Sequence, residues 1–375
     1  MPELIHVGRD EDRDTYYLNM GPQHPSTHGV LRLRLLLKGE EILEAEPIVG
    51  YSHRAHEKMA ENRNYIQFLP NTSRIDYLSG MIYNIGYCQA VERILGLEVP
   101  ERAEYIRIIC CELNRISSHL LWYGTLLMDL GGFTPFLYCW DDRENILDIL
   151  DEVTGSRLTY CYGRFGGVTM DVNDEFLQNT LDFCKRFRER LPEYETLVTE
   201  NIIFQNRCKD VGVFDQELAQ DFALTGPILR AMGHKRDVRR DEPYGIYDKF
   251  DFDIPTLNGA DTFDRFLIRV EEMHQSLSIV EQAVSRIPDG PVMAPKVPRK
   301  IKPPKGEYYF AVESARGHFG MFIVSDGTEI PYRIHLRTPS FANLSSLRSV
   351  LRGTMIADTV AILGSIDIVL PEIDR

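Results

Sequence analysis

The residues best suited to chemistry in this chain are two histidines, His24 and His28, inside Gly21-Pro22-Gln23-His24-Pro25-Ser26-Thr27-His28-Gly29. The Gly-Pro opening and the proline after His24 exclude a helix and predict an exposed turn or hairpin loop. Imidazoles on such a loop can donate hydrogen bonds, carry protons or ligate metal, or they can merely tie up turn backbone. Between Val30 and Leu37, Leu31, Leu33 and Leu35 alternate with Arg32 and Arg34, so the loop should lead into a half-buried strand.

Other strings are dense in polar side chains. They include Gly50-Tyr-Ser-His-Arg54-Ala-His-Glu57-Lys58, Glu61-Asn62-Arg63, Arg74-Ile75-Asp76-Tyr77, Glu112-Leu-Asn-Arg115-Ile116 and Ser118-His119-Leu120-Leu121. Two more are the stretch 306–341 and the terminal Ser365-Ile-Asp367-Ile-Val369-Leu-Pro-Glu372-Ile-Asp374-Arg375. Taken in order, with the histidine loop, they resemble the signatures of the quinone-site subunit of respiratory complex I (NADH:quinone oxidoreductase, NuoD-type or 49 kDa subunit). The resemblance runs from about residue 15 to the last residue. That family is related to the large subunit of nickel–iron hydrogenases.

Reducing a quinone requires electrons, a dry pocket, and groups that hydrogen-bond two carbonyl oxygens and then supply protons. A phenol and an imidazole suit that task. The resemblance places these roles on Tyr77 and His28, with Asp129 as the carboxylate that pairs with His28 and holds its tautomer. It also implies that His24, Ser79, Met128, Phe136, Asp367 and Val369 line the quinone cavity. Arg54 and Arg74 resemble arginines beside the terminal iron–sulfur cluster, where fixed positive charge favours the reduced state. A [4Fe–4S] cluster takes four thiolates, and the cysteines here have no such grouping, so the cluster is expected in an adjacent Fe–S subunit.

The implied partners are that NuoB-type subunit, NuoC- and NuoI-type subunits of the peripheral arm, and a NuoH-type membrane subunit. The resemblance then puts the chain at the cytoplasmic face of a bacterial or archaeal plasma membrane, held there by the complex, with quinone as substrate. An equivalent subunit of a complex-I-like enzyme fed by ferredoxin or a deazaflavin is the alternative, since electron input lies on other subunits. A non-catalytic assembly protein is opposed by the joint presence of His28, Tyr77 and Asp129. A hydrogenase large subunit would bind its metals through two CxxC motifs. Here the tail reads Asp367-Ile368-Val369-Leu370-Pro371, and Ile and Leu cannot replace thiolates.

Composition agrees with these expectations. With 42 Lys and Arg against 56 Asp and Glu, the net charge of −14 opposes nucleic-acid binding and general adhesion to anionic lipid. No stretch approaches the ~20 apolar residues of a membrane span, and acidic residues 3, 10, 11, 12 and 14 are unlike a secretory or transit leader. Seven cysteines without framework spacing suit reduced thiols that serve as small buried hydrophobes.

Patterning predicts an α+β fold, a central long-helix bundle with small antiparallel sheets from both ends of the chain; the resemblance implies that this fold is like that of the hydrogenase large subunit. The expected regions are an unstructured or loose arm (1–14), a β region (15–50), a helical core (51–287), a Pro-rich basic connector (288–305) and a C-terminal α+β region (306–375). Strands are expected at 15–20, 29–38, 41–48, 307–313, 320–325 and 332–337, with 366–370 strand-sized. Helices are expected at 53–60, 73–95, 101–130, 135–152, 172–200, 213–222, 340–351 and 354–364, and from an Asp261 N-cap to 287. The segment 230–258 reads as a polar loop.

One departure stands out. Where many family members continue Thr154-Gly155-Ser156-Arg157 with Met-His, this chain has Leu158-Thr159. Thr159 can hydrogen-bond but does not titrate, so by the resemblance a proton acceptor is missing where the family's histidine contacts the terminal cluster. Because CxxC pairs are absent and two imidazoles on a turn do not make a four-ligand site, the chain purified alone is expected to hold no stoichiometric iron, nickel or zinc. Metal analysis returning about one nickel or four irons per chain would contradict the assignment.

Overall fold

A computed structural model describes residues 4–5 and 14–375. The chain begins with a four-stranded antiparallel sheet in the order β1 (Leu4–Ile5), β2 (Thr15–Met20), β3 (Arg32–Lys38) and β4 (Glu41–Ile48). Of the expected loose arm, Leu4–Ile5 instead form an edge strand opposite Leu18 and Tyr17; the remainder of 1–13 lies outside the described residues. Leu31, Leu33, Leu35 and Leu37 are all buried and Arg34 faces out, as a period of two requires.

The helical centre comprises α1 (His56–Ala60), α2 (Tyr65–Thr72), α3 (Gly80–Leu95), α4 (Glu101–Asp129) and α5 (Phe133–Thr154). After the two-residue strands β5 (Gly163–Arg164) and β6 (Gly167–Val168) come α6 (Asp174–Tyr194), α7 (Ile202–Cys208), α8 (Gln216–Asp221), α9 (Pro227–Ala231), α10 (Val238–Asp241) and α11 (Thr262–Arg286). The long α4 packs against α3, α5 and α11. Asp261 caps α11 by accepting the Asp264 N–H at 2.7 Å, as its position predicts. A three-stranded antiparallel sheet follows, β7 (Gly306–Ser314), β8 (Gly317–Ser325) and β9 (Arg333–Arg337). Helices α12 (Pro339–Ser345), α13 (Leu347–Val350), α14 (Thr359–Ile366) and α15 (Leu370–Asp374) end the chain. The fold is α+β, with three small antiparallel sheets around a helix bundle. No helix among the described residues is long and apolar enough to cross a membrane.

Several expectations fail for physical reasons. The proline-flanked histidine loop does contain one turn of 3-10 helix, Pro25–Thr27, because proline suits a helix's first position. The helix expected over 73–95 is broken: Asp76 accepts the N–H groups of Leu78 and Ser79, an Asx-type turn that competes with helix until Gly80. The helix expected over 172–200 becomes α6 plus a π-helical turn, Glu195–Thr199, and α7 was not anticipated. Within the short apolar run 366–370, Asp367 adopts a left-handed conformation (φ 57°) that ends α14 before α15 begins. The polar loop 230–258 holds α10 and a buried arginine, Arg239. Six cysteines are buried and unpaired as expected, but Cys161 is only half-buried.

Charge also sits inside the bundle. Glu112 on α4 is fully buried and accepts from Tyr247 Oη and Ser276 Oγ, both at 2.7 Å, and from Arg115 and Arg239 at 3.1 and 3.2 Å. Burial alone would raise its pKa; Arg115 and Arg239 override it and bring the carboxyl down to about 2. Because the folded value lies below the ordinary 4.5, this stabilisation is complete above pH ~4.5 and is lost as pH falls towards 2. Glu112→Gln is therefore expected to cost ~3–5 kcal/mol by leaving buried guanidinium charge uncompensated. Urea unfolding of the full chain at pH 7 checks this, and the gap between variant and parent should narrow with acidification.

Candidate functional site

The histidine loop returns to the bundle through His28. This residue takes a left-handed conformation (φ 53°, ψ 40°) at the end of the 3-10 turn, which turns its side chain towards the end of α4. Its Nε2 lies 2.6 Å from Asp129 Oδ2, with both side chains largely shielded from solvent. Two residues 101 positions apart are thus joined by one short contact. The imidazole also lies 3.7 Å from the point a Cβ would occupy on Gly364, so glycine lets α14 approach. His24 behaves differently: it is exposed, and its Nδ1 accepts the Ser26 N–H at 3.2 Å, a turn-capping role.

The turn 73–79 meets the C-terminal tail around Arg316, a fully buried arginine in the β7–β8 turn. Arg316 Nη1 donates to Asp76 Oδ2 at 2.6 Å and Ser79 Oγ at 3.1 Å; Nη2 donates to Ser118 Oγ at 3.2 Å and Asp367 Oδ1 at 3.4 Å. Asp367 also faces Arg269 Nε at 3.8 Å. Ser79, Asp367 and Val369 are therefore buried, and the first two are bound into this cluster. Tyr77 is the cluster's open edge, 37 % exposed. Partial burial, then the charge of Asp76, raises its phenol pKa, so the hydroxyl stays protonated and able to donate at neutral pH.

Met128 precedes Asp129 at the end of α4, and Phe136 lies on α5 against Gly124 of α4. Met128 is 40 % exposed, and Phe136 packs with Phe133 and Trp140 at centroid distances of 5.9 and 5.7 Å. Arg54 is exposed; Arg74 bends back to the Pro70 carbonyl and to Ser73 Oγ. A Cβ on Gly80 would lie 3.0 Å from the Ser73 carbonyl and 3.4 Å from that of Leu158, so the loop carrying Thr159 lies against the turn carrying Arg74.

Three neighbours escaped sequence reasoning. Arg316 sits 240 residues from Asp76, and its only local signal is a charged residue between small ones in Ser314-Ala315-Arg316-Gly317. Glu372 is wholly buried, accepting from Tyr83 Oη at 2.6 Å and from Ser340 Oγ. Burial and nearby Asp76 push it up to about 7 against the pull of Arg316. His56 is buried, and neither ring nitrogen has a hydrogen-bond partner among the described residues. Burial, then Arg54, holds its pKa at about 4, so it is neutral at pH 7. Among the described residues, no three His, Cys, Asp or Glu side chains converge as a metal site.

The chain matches the family model described as "Respiratory-chain NADH dehydrogenase, 49 Kd subunit" over residues 129–300 and 295–375. It is 61% identical over 360 residues to the D subunit of NADH-quinone oxidoreductase from Syntrophobacter fumaroxidans, covering 96% of each chain. The corresponding D subunit from Desulfotalea psychrophila is 53% identical over 375 residues, covering 100% of both. That from Clostridium beijerinckii is 51% identical over 371 residues, covering 99% of this chain and 100% of the relative. With so high an identity along its whole length, the chain belongs to the 49 kDa subunit family of respiratory-chain NADH dehydrogenase.

Proposed function

We propose that this subunit of an NADH:quinone oxidoreductase forms the chamber in which quinone is reduced, beside a NuoB-type subunit whose [4Fe–4S] cluster delivers the electrons. The observation that carries the reading is the 2.6 Å His28–Asp129 contact, together with a protonated, partly open Tyr77. His28 and Tyr77 serve as hydrogen-bond donors to the two quinone oxygens and as the first proton sources. Asp129 is a positioning residue that fixes the imidazole. Met128, Phe136 and Val369 supply apolar wall; Ser79 and Asp367, bound to Arg316, hold the floor. Arg54, Arg74 and Thr159 face the partner's cluster, and NuoC-, NuoI- and NuoH-type subunits complete the complex at the cytoplasmic face of the membrane.

Tyr77→Phe tests the assignment, because it removes one hydroxyl and almost no volume. Losing a single carbonyl donor in a water-poor site should cost ~2–4 kcal/mol of transition-state stabilisation. Quinone reduction by the assembled complex should fall accordingly, while NADH oxidation with artificial acceptors and reduction of the Fe–S chain persist. Near-normal quinone turnover would defeat the reading. His28→Ala should show the same split, with added loss from the unpaired Asp129.

The terminal cluster's potential should depend only weakly on pH. One proton taken up per electron gives about 59 mV per pH unit. Thr159 cannot take up that proton, and Arg54 and Arg74 stay charged throughout. Redox titration at several pH values, for the parent and for Thr159→His, is the measurement; a full slope in the parent, unchanged in the variant, would place the coupling elsewhere.

A further inference from the structure

A second polar concavity lies away from His28 and Tyr77, where the outer face of the β7–β9 sheet meets the segment from α8 to α10. It measures about 570 Å³ and brings together His234, Lys235, Arg236, Tyr309, His318 and Arg337. In a chain of net charge −14, no aspartate or glutamate lines it among the described residues. We propose that this cavity binds a small molecule through its oligophosphate group.

The cations are arranged for that chemistry. Arg337 is pinned by neutral acceptors only: Nη1 donates to the His318 carbonyl at 2.7 Å and to Thr225 Oγ1 at 3.2 Å, and Nη2 to the Ala223 carbonyl at 2.7 Å. Its charge is therefore oriented without being neutralised. The side chains of Lys235 and Arg236 are exposed and have no hydrogen-bond or ion-pair partner among the described residues. A guanidinium fork held in place and two free cations at the rim suit a ligand with two or more negative charges, and phosphate most of all.

The positive potential is registered by His318. Burial, then Arg337 and Arg236, holds its pKa down at about 4. It is neutral at pH 7, and its Nε2 lies 2.5 Å from Tyr309 Oη. The charged or titratable groups around it are Arg337 on β9, Tyr309 on β7, and His234, Lys235 and Arg236 before α10; outside the lining, Glu242 acts on Tyr309, and Glu313, opposite His318 in the β7–β8 register but bonded to Arg230, acts with Glu372 on Arg337. The Tyr309 and His318 rings lie within 24° of parallel, and Tyr309 is 52 % exposed, while Leu224 and Leu229 supply an apolar patch. The volume lies within the range of small-molecule sites, and a flat aromatic wall beside the cations suits a ring attached to the phosphates.

The test is calorimetric titration of the full chain with pyrophosphate, ADP and malonate. Pyrophosphate and ADP should bind saturably at one site, with malonate about tenfold weaker. Tighter binding of ADP than of pyrophosphate points to a nucleotide, and Tyr309→Ala should then reduce ADP to the pyrophosphate level; equal binding points to a free oligophosphate. Lys235→Ala with Arg236→Ala, both exposed and unpartnered, should weaken both phosphates at least tenfold with an unchanged melting curve, while Lys300→Ala changes nothing. Histidine NMR should show the His318 pKa rising when pyrophosphate binds. No saturable binding at millimolar ligand, malonate binding as well as pyrophosphate, or binding indifferent to the Lys235/Arg236 double variant would overturn the proposal.

Discussion

The Arg316 guanidinium is the constraint on which the centre of the molecule depends. Its donors tie together four segments remote in sequence: the turn 73–79 through Asp76 and Ser79, α4 through Ser118, the β7–β8 turn that carries it, and the tail through Asp367. Such a buried cluster adds little net stability over a well-packed apolar one, because desolvation offsets attraction. It does impose geometry, since any other arrangement would strand a charge in a low-dielectric interior. The turn bearing Tyr77 and the tail bearing Val369 are consequently held in one relative position.

The same solution recurs through the bundle. Arg230 bridges Glu272 and Glu313 at 2.6 and 2.9 Å, and Glu272 in turn meets His119 at 2.9 Å. Glu112 joins Arg115, Arg239 and Tyr247. Each network spans elements that apolar packing alone would allow to slide.

For the proposed quinone chemistry, this rigidity has a plain use. His28 sits on a loop, and loops drift unless held. Its contact with Asp129 and the close approach of Gly364 fix the imidazole against α4 and α14. Tyr77 sits at the open edge of a buried cluster, so its hydroxyl can meet a ligand while its backbone cannot move. Preorganised donors of this kind need no rearrangement as charge develops on the substrate.

The sequence alone encodes the α+β class, the leucine-lined strand β3, the long helices α4 and α11 and the Asp261 cap, because periodicity and capping are local physics. Its ordered signatures also pointed to the family and singled out His28, Tyr77 and Asp129. Tertiary packing is what brings His28 to Asp129 while His24 caps its own turn, since the left-handed backbone at His28 depends on its distant neighbours. It alone broke the helix expected at 73–95, where Asp76 exchanges helical propensity for a turn that Arg316 completes from 240 residues away. Asp367 likewise turns a strand-sized apolar run into a helix end, and Arg239 turns a polar loop into core. In each case a buried charge finds a distant partner, and no local pattern encodes where that partner will be.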